Sequence, residues 1–129
     1  VILLDTQVVA WLADDPGKLS IAAQNAIRQA RRETGLAIAD KTLWELAMMV
    51  FRRRVNMQMS MHHFLMSVEQ YCQVLPITAA IAERSMHFGS NFPKDPSDQL
   101  IAATAIVHGI PLVTADAQIR NSGEVPCIW

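Results

Sequence analysis

Little in this sequence would bind it together covalently or fix it to a membrane. It has only two cysteines, Cys72 and Cys127, far apart and outside any CxxC or Cys/His ligand array. A disulfide framework needs more than that, so both are read as reduced structural thiols, consistent with the cytoplasm. No apolar run reaches the ~20 residues that cross a bilayer. The opening run from Val1 to Leu4 is too short for a secretion-signal core and has no basic leader, although the chain lacks an initiator Met and further residues can precede it. There are no repeats and no low-complexity segment. Charged residues are only 18%, which argues against extended disorder. Basic residues are not in excess: the net charge is -1, a poor overall match to a nucleic-acid binder, whose phosphate contacts need clustered Lys and Arg. A local basic patch remains compatible with that sum, and an acidic metal site would itself lower it.

What is present is a core. Hydrophobic residues make up 51% of 129 residues, which suits one compact domain over 1–129. The run from Val1 to Leu4 reads as a strand buried on both faces, ended by Asp5-Thr6. A short helix is expected from Val8 to Leu12, then a turn at Asp14-Asp15-Pro16-Gly17. Ser20 caps a helix to about Arg32, closed by Gly35. Leu36 to Ala39 is a second apolar run, and Asp40 is expected to cap the next helix, which ends near Arg52-Arg53-Arg54. Ser60 to about Tyr71 reads as a helix, Val74 to Pro76 as a strand, and Thr78 caps a helix to about Phe88. Asp95-Pro96 opens a helix with Pro at its first position, and Gly109 ends it. Pro111 to Thr114 and Val125 to Ile128 read as strands. Short apolar strands alternating with helices predict an α/β sandwich with a mostly parallel sheet. Ligands of such sheets sit beyond the carboxyl ends of the strands.

Four acids are expected at that edge. Asp5 follows the first strand and Asp116 follows Leu112-Val113-Thr114 by two residues. Helices that follow strands start at the same edge, which brings Glu45 and Asp98 there too. Glu45 interrupts Leu43 to Phe51, whose apolar side chains would cover a helix on all sides and bury it. A buried carboxylate costs several kcal/mol unless it is compensated, by an Arg from another helix, a metal ion or a proton. Each acid also has a simpler reading. Asp5 and Asp116 suit turn or cap positions, Asp95 and Asp98 resemble a capping box, and Asp95 is read mainly as a cap. Four converging acids without a cation would repel one another by roughly one to several kcal/mol per pair. Oxygen-only ligation points to Mg2+ or Mn2+, which suits phosphodiester hydrolysis.

The same residues resemble the signature of PIN domains, specifically the short VapC-like toxins. Ile2-Leu3-Leu4-Asp5-Thr6 resembles the family's first strand and acid. Leu43-Trp44-Glu45-Leu46-Ala47 resembles the motif with the second acid. Asp95-Pro96-Ser97-Asp98 followed by Gln99-Leu100-Ile101-Ala102-Ala103 resembles the third, and Leu112-Val113-Thr114-Ala115-Asp116 the fourth. Val125 to Trp129 resembles the last strand. The resemblance runs in register through the whole chain. Gln7 stands where relatives often carry His, Asn or Ser, Ser97 where an aromatic is common, and Asp40-Lys41 where small neutral residues are usual, adding a charge pair near the mouth of the site.

The resemblance implies a PIN-like three-layer α/β/α sandwich and a Mg2+- or Mn2+-dependent endoribonuclease, the toxin of a toxin–antitoxin pair. Asp5, Glu45, Asp98 and Asp116 would be its catalytic and metal-binding residues, with Thr6, Asp95 and Thr114 in support. RNA phosphates would meet Arg52, Arg53, Arg54, Lys94 or Arg31-Arg32, unless the arginine run is a plain solvated helix end. A homodimer and a cognate antitoxin are the implied protein partners. The surfaces expected to face them are Val8 to Leu12, Met48 to Phe51 and Met57 to Met66, where apolar and methionine side chains exceed what one small core needs. The alternative is a catalytically silent PIN-like module that binds RNA or protein. His62-His63 diverge on a helix and lack a third His, so a surface reading is preferred to a ligand pair; His87 and His108 are read as structural.

Overall fold

The computed structural model describes residues 1–55 and 58–129. Five strands form one parallel sheet in the order β3-β2-β1-β4-β5. They are β1 (Ile2–Leu4), β2 (Leu36–Ala39), β3 (Gln73–Leu75), β4 (Leu112–Val113) and β5 (Cys127–Ile128). The helices among the described residues are α1 (Thr6–Asp14), α2 (Ile21–Glu33), α3 (Asp40–Phe51), α4 (Met61–Tyr71), α5 (Ala79–Ser85), α6 (Pro96–His108) and α7 (Ala117–Ser122), with one 3-10 turn at Pro16–Lys18. None is long and apolar enough to cross a membrane.

Two apolar layers follow from the period of two along the central strand. Ile2 and Leu4 point into one cluster with Val8, Val9, Ile27, Leu46, Phe64 and Val68, from α1, α2, α3 and α4. Leu3 points the opposite way, to Leu75, Phe92, Ile101, Ala102, Leu112 and Ile119, with α6 and α7. Each fully buried Leu or Ile there contributes about 1.5–3 kcal/mol. With both faces covered by helices, β1 and β2 are buried throughout, which explains why they read as continuous apolar runs.

Local signals set most of the ends. Ser20, Ser60 and Thr78 each accept a hydrogen bond from the amide three residues on, and Gly109 closes α6 at φ +65°, a left-handed position that favours glycine. Several expectations are corrected. The first helix begins at Thr6, because Asp5 itself caps it. α5 stops at Ser85, short of Phe88. Asp40 does not cap α3. Its Oδ2 accepts from the Ile77 amide at 3.1 Å, Ala39 is the cap residue without a side-chain bond, and Asp40 Oδ1 is buried without a hydrogen-bond partner among the described residues. Nor is α3 buried all round: Thr42 and Leu46 face the core, while Trp44 is 53% and Phe51 80% exposed.

Candidate active site

Six residues at the carboxyl edge of the sheet, Asp5, Thr6, Thr42, Glu45, Thr114 and Asp116, are tied together through the hydroxyls of Thr6 and Thr114. The Asp5 amide donates to Val113 O at 3.0 Å, the last backbone bond between β1 and its neighbour β4. Its carboxylate is then held from two sides, Oδ1 by the Thr6 amide at 2.8 Å and Oδ2 by the Thr114 hydroxyl at 2.7 Å. Thr114 is fully buried, and its Oγ1 also accepts from the Asp116 amide at 3.1 Å. One hydroxyl thus fixes Asp5 and the backbone of Asp116 together. Asp116 caps α7 through the Ile119 amide at 3.0 Å, which leaves its other oxygen unspent on the cap.

Thr6 does the same across a different gap. Its Oγ1 donates to Glu45 Oε1 at 2.7 Å and lies 3.0 Å from Thr42 Oγ1. Because the Thr6 proton goes to the carboxylate, Thr42 is the donor in the second contact. Glu45 projects from the middle of α3 and is pinned to the first turn of α1. Asp98 is the third residue of α6. Among the described residues it accepts no hydrogen bond. Asp95 caps α6 through the Ser97 amide at 2.7 Å, and Asp98 does not bond back to it, so the pair is a simple cap and not a reciprocal box.

Asp5, Glu45, Asp98 and Asp116 line one cleft of about 550 Å³, together with Gln7, Arg52 and Arg54. Arg53, Lys94 and Asp95 do not line it. Burial raises the Asp5 carboxyl above its ordinary range, opposed by the bonds from Thr114 and Thr6, while Asp116 pushes it further up. Burial also raises Glu45, opposed by Thr6 and Lys41 and reinforced by Asp5 and Asp95. Asp98 is pushed up to about 7, first by burial and then by the charges of Asp5, Asp95, Asp116 and Glu45. Without a hydrogen bond to oppose them, those repulsions meet at Asp98.

Sequence reasoning missed Thr42, Met48 and Met49. The methionines line the cleft, where the sequence had suggested core or a partner-facing surface. Of the two charges expected near the mouth, Lys41 is close enough to act on Glu45, and Asp40 and Lys41 are not paired with each other among the described residues. Asp40 turns to Ile77, and Lys41 Nζ sits 4.0 Å from the centre of the Trp44 ring, an i,i+3 neighbour on the helix surface. His62, His63, His87 and His108 are all exposed, and Cys72 and Cys127 are both free.

The sequence model of the PIN domain family matches residues 2–124. This chain is a PIN domain. It is 36% identical over 120 residues to the protein named ribonuclease VapC22 of Mycobacterium tuberculosis, covering 93% of this chain and 90% of that protein. Among solved structures the PIN domain resembles a chain of VapBC2 from Rickettsia felis bound to a promoter DNA fragment. The TM-score is 0.73 at 14% identity, covering 98% of this chain and 96% of the other. It also resembles a chain of DNA-bound VapBC from Salmonella typhimurium, with a TM-score of 0.72 at 18% identity over 98% and 95% of the two chains. At those identities the structural likeness speaks for the fold, a helix-flanked parallel sheet shared by this PIN domain.

Proposed function

We propose that this PIN domain is a Mg2+- or Mn2+-dependent endoribonuclease, the toxin of a toxin–antitoxin pair, with Asp5, Glu45, Asp98 and Asp116 as its catalytic and metal-holding groups. The observation that carries the reading is the meeting of four carboxylates, from four separate segments, in one cleft. Identity to a protein named as a ribonuclease supports the substrate class.

The donor set suits a hard divalent cation. It is oxygen only, the four acids come from different elements, and Asp98 has both oxygens uncommitted among the described residues. These acids are not already gathered into a coordination shell: no group of three or more His, Cys, Asp or Glu among the described residues is arranged to hold an ion. Glu45 and Asp116 each spend one oxygen on a hydrogen bond and keep the other for a cation. A bound divalent ion would supply a nucleophilic water at neutral pH and charge neutralisation at the phosphate. Thr114 and Thr6 would do the chain's own part by holding Asp5 and Glu45 in fixed orientations, a role that outer hydrogen bonds commonly play around ligating carboxylates. Asp95 supports Asp98 by starting its helix.

The test is cleavage of a mixed RNA pool with Mg2+ or with excess EDTA. The expected result is cleavage with the metal alone, leaving 5′-phosphate and 3′-hydroxyl ends. Cleavage that survives EDTA, or cyclic phosphate ends, would remove the metal-hydrolysis reading. No cleavage under any metal would favour the silent RNA- or protein-binding module.

For partners, the apolar surface is narrower than the sequence suggested. Val8, Val9 and Ala10 go into the core, and Met57 lies outside the described residues. Trp44 and Phe51 on α3, and Met66 on α4, remain exposed and suit a second copy. A basic peptide from an antitoxin would suit the acidic cleft through charge-assisted bonds. Expression of the chain alone is expected to slow growth of a bacterial host, with relief by Asp5→Asn. Light scattering is expected to give a dimer at micromolar concentration, and Phe51→Asp a monomer. Unimpaired growth with a chain that cleaves RNA in vitro would refute the toxin role, and a strict monomer would refute the dimer.

A further inference from the structure

Three consecutive arginines follow α3, and the fold treats them differently. Arg52 and Arg54 line the cleft that holds the four carboxylates, whereas Arg53 does not. The cause is local. The Arg53 amide donates to Val50 O at 3.0 Å and the Arg54 amide to Met49 O at 2.8 Å, the pair of bonds that ends a helix in a Schellman turn. That turn needs a left-handed residue, and Arg53 takes it at φ +57°. Glycine is the usual choice there, since a side chain in this region is strained. The helix ends in that turn at Arg53, and the two flanking arginines line the same cleft.

The two cleft arginines also lack an internal use. Both are exposed, and among the described residues neither makes an ion pair or hydrogen bond through its guanidinium. A polyanion entering a cleft floored by carboxylates is repelled by that floor. Two cations at its rim give the strand a place to be held while one phosphate is brought over the acids.

We propose that Arg52 and Arg54 form a two-point clamp for backbone phosphates of single-stranded RNA beside the scissile bond, and that Arg53 is the turn residue that aims them. The clamp rests on the nuclease reading above and narrows its RNA contacts, leaving Arg53 and Lys94 outside. Guanidinium groups suit the task because they grip phosphate oxygens through paired N–H donors and stay charged. No base is read, so the clamp contributes affinity without sequence preference.

The experiment follows kcat and KM for metal-dependent cleavage of a mixed-sequence single-stranded RNA across a KCl series. Arg52→Gln and Arg54→Gln are each expected to raise KM about five- to tenfold at low salt with little change in kcat. Each should flatten the plot of log(kcat/KM) against log[KCl] by about 0.7, the loss of one phosphate contact on a single strand. Arg52→Lys and Arg54→Lys should recover the salt slope but only part of the affinity. Arg53→Gly should keep the parent's KM and slope and melt at or above the parent's temperature, since glycine relaxes the left-handed turn. Slopes unchanged in both Gln variants would overturn the clamp while wild-type cleavage leaves the nuclease standing. An equal loss of slope in Arg53→Gly would also overturn it, by showing that any exposed positive charge at this helix end serves. Melting curves on each variant separate these outcomes from misfolding.

Discussion

Asp98→Asn is expected to silence cleavage and, in metal-free buffer at neutral pH, to make the protein more stable. Asp98 is the one acid of the cleft with no hydrogen bond among the described residues, and four other carboxylates raise it after burial has done so. Its carboxyl titrates at about 7 in the folded chain, against an ordinary 3.8. Between those values the folded chain keeps a proton that the unfolded chain has released. Stability therefore falls as pH rises from about 4 to about 7, and levels off above. Asparagine has no such proton. Its advantage over the parent should be small near pH 4 and reach about 1–3 kcal/mol by pH 8. Cleavage should drop at least about 100-fold, more than is usual for a group that only supports a ligand. Adding Mg2+ should restore the parent's stability far more than the variant's. Asp95→Asn is the control: asparagine still caps a helix, Asp95 lies outside the cleft lining, and only a severalfold loss is expected. Thermal melts from pH 4 to 8 in EDTA, beside activity in Mg2+, check both. If Asp95→Asn were silent and Asp98→Asn active, the assignment of the site would be wrong.

Thr114→Val should do large damage from a position that never touches solvent. Valine keeps the volume of threonine but not the hydroxyl that donates to Asp5 Oδ2 and accepts from the Asp116 amide. The part-buried Asp5 carboxylate and Asp116 amide each lose a partner, a loss of about 1–3 kcal/mol in stability. Cleavage should fall about 10- to 100-fold, as for other outer partners of ligating carboxylates. The Thr114 bond is also the largest influence holding the Asp5 carboxyl down against burial. Without it the residual activity should need a higher pH than the parent's. Thr114→Ser restores the hydroxyl and should recover most of the activity and the original pH profile. Parent-like melting and pH dependence in Thr114→Val would show that the hydroxyl is dispensable.

The parts of this molecule that were legible in its sequence are those decided within a few residues. Doubly buried strands announce themselves as unbroken apolar runs, and Ser20, Ser60, Thr78 and Asp95 announce helix starts because each bonds an amide two or three positions on. The candidate acids were legible because helices and strands of an α/β sheet present their ends to one edge. What stayed hidden depends on contacts across the chain. Asp40 looked like a cap until Ile77, 37 residues later, took its carboxylate. Thr42 is an ordinary core-facing residue until Thr6 comes beside it. Arg53 gave no sign of a left-handed turn because that turn is normally marked by Gly. The exposure of Phe51 fits the apolar excess noted from Met48 to Phe51, but that of Trp44 could not be told from burial, since an apolar helix side looks the same in sequence whether or not a neighbour covers it.

The position of β1 sets when this chain can first act. It is the first of the five strands in chain order, yet it lies between β2 and β4, and its pairing with Leu112 and Val113 joins residues more than a hundred positions apart. Asp5 takes its backbone and side-chain partners from Val113 and Thr114. A half-synthesised chain can pair β1 with β2 and dock the early helices, but it holds Asp5 loosely, against an open sheet edge. The cleft is complete only once α6 and β4 are in place, since α6 carries Asp98 and β4 leads to Asp116. Loop closure over that distance is slow compared with forming local helices. Any transcript cut short before Asp116 yields a fragment that cannot assemble the four carboxylates, so the proposed cleavage is expected only of the finished sheet.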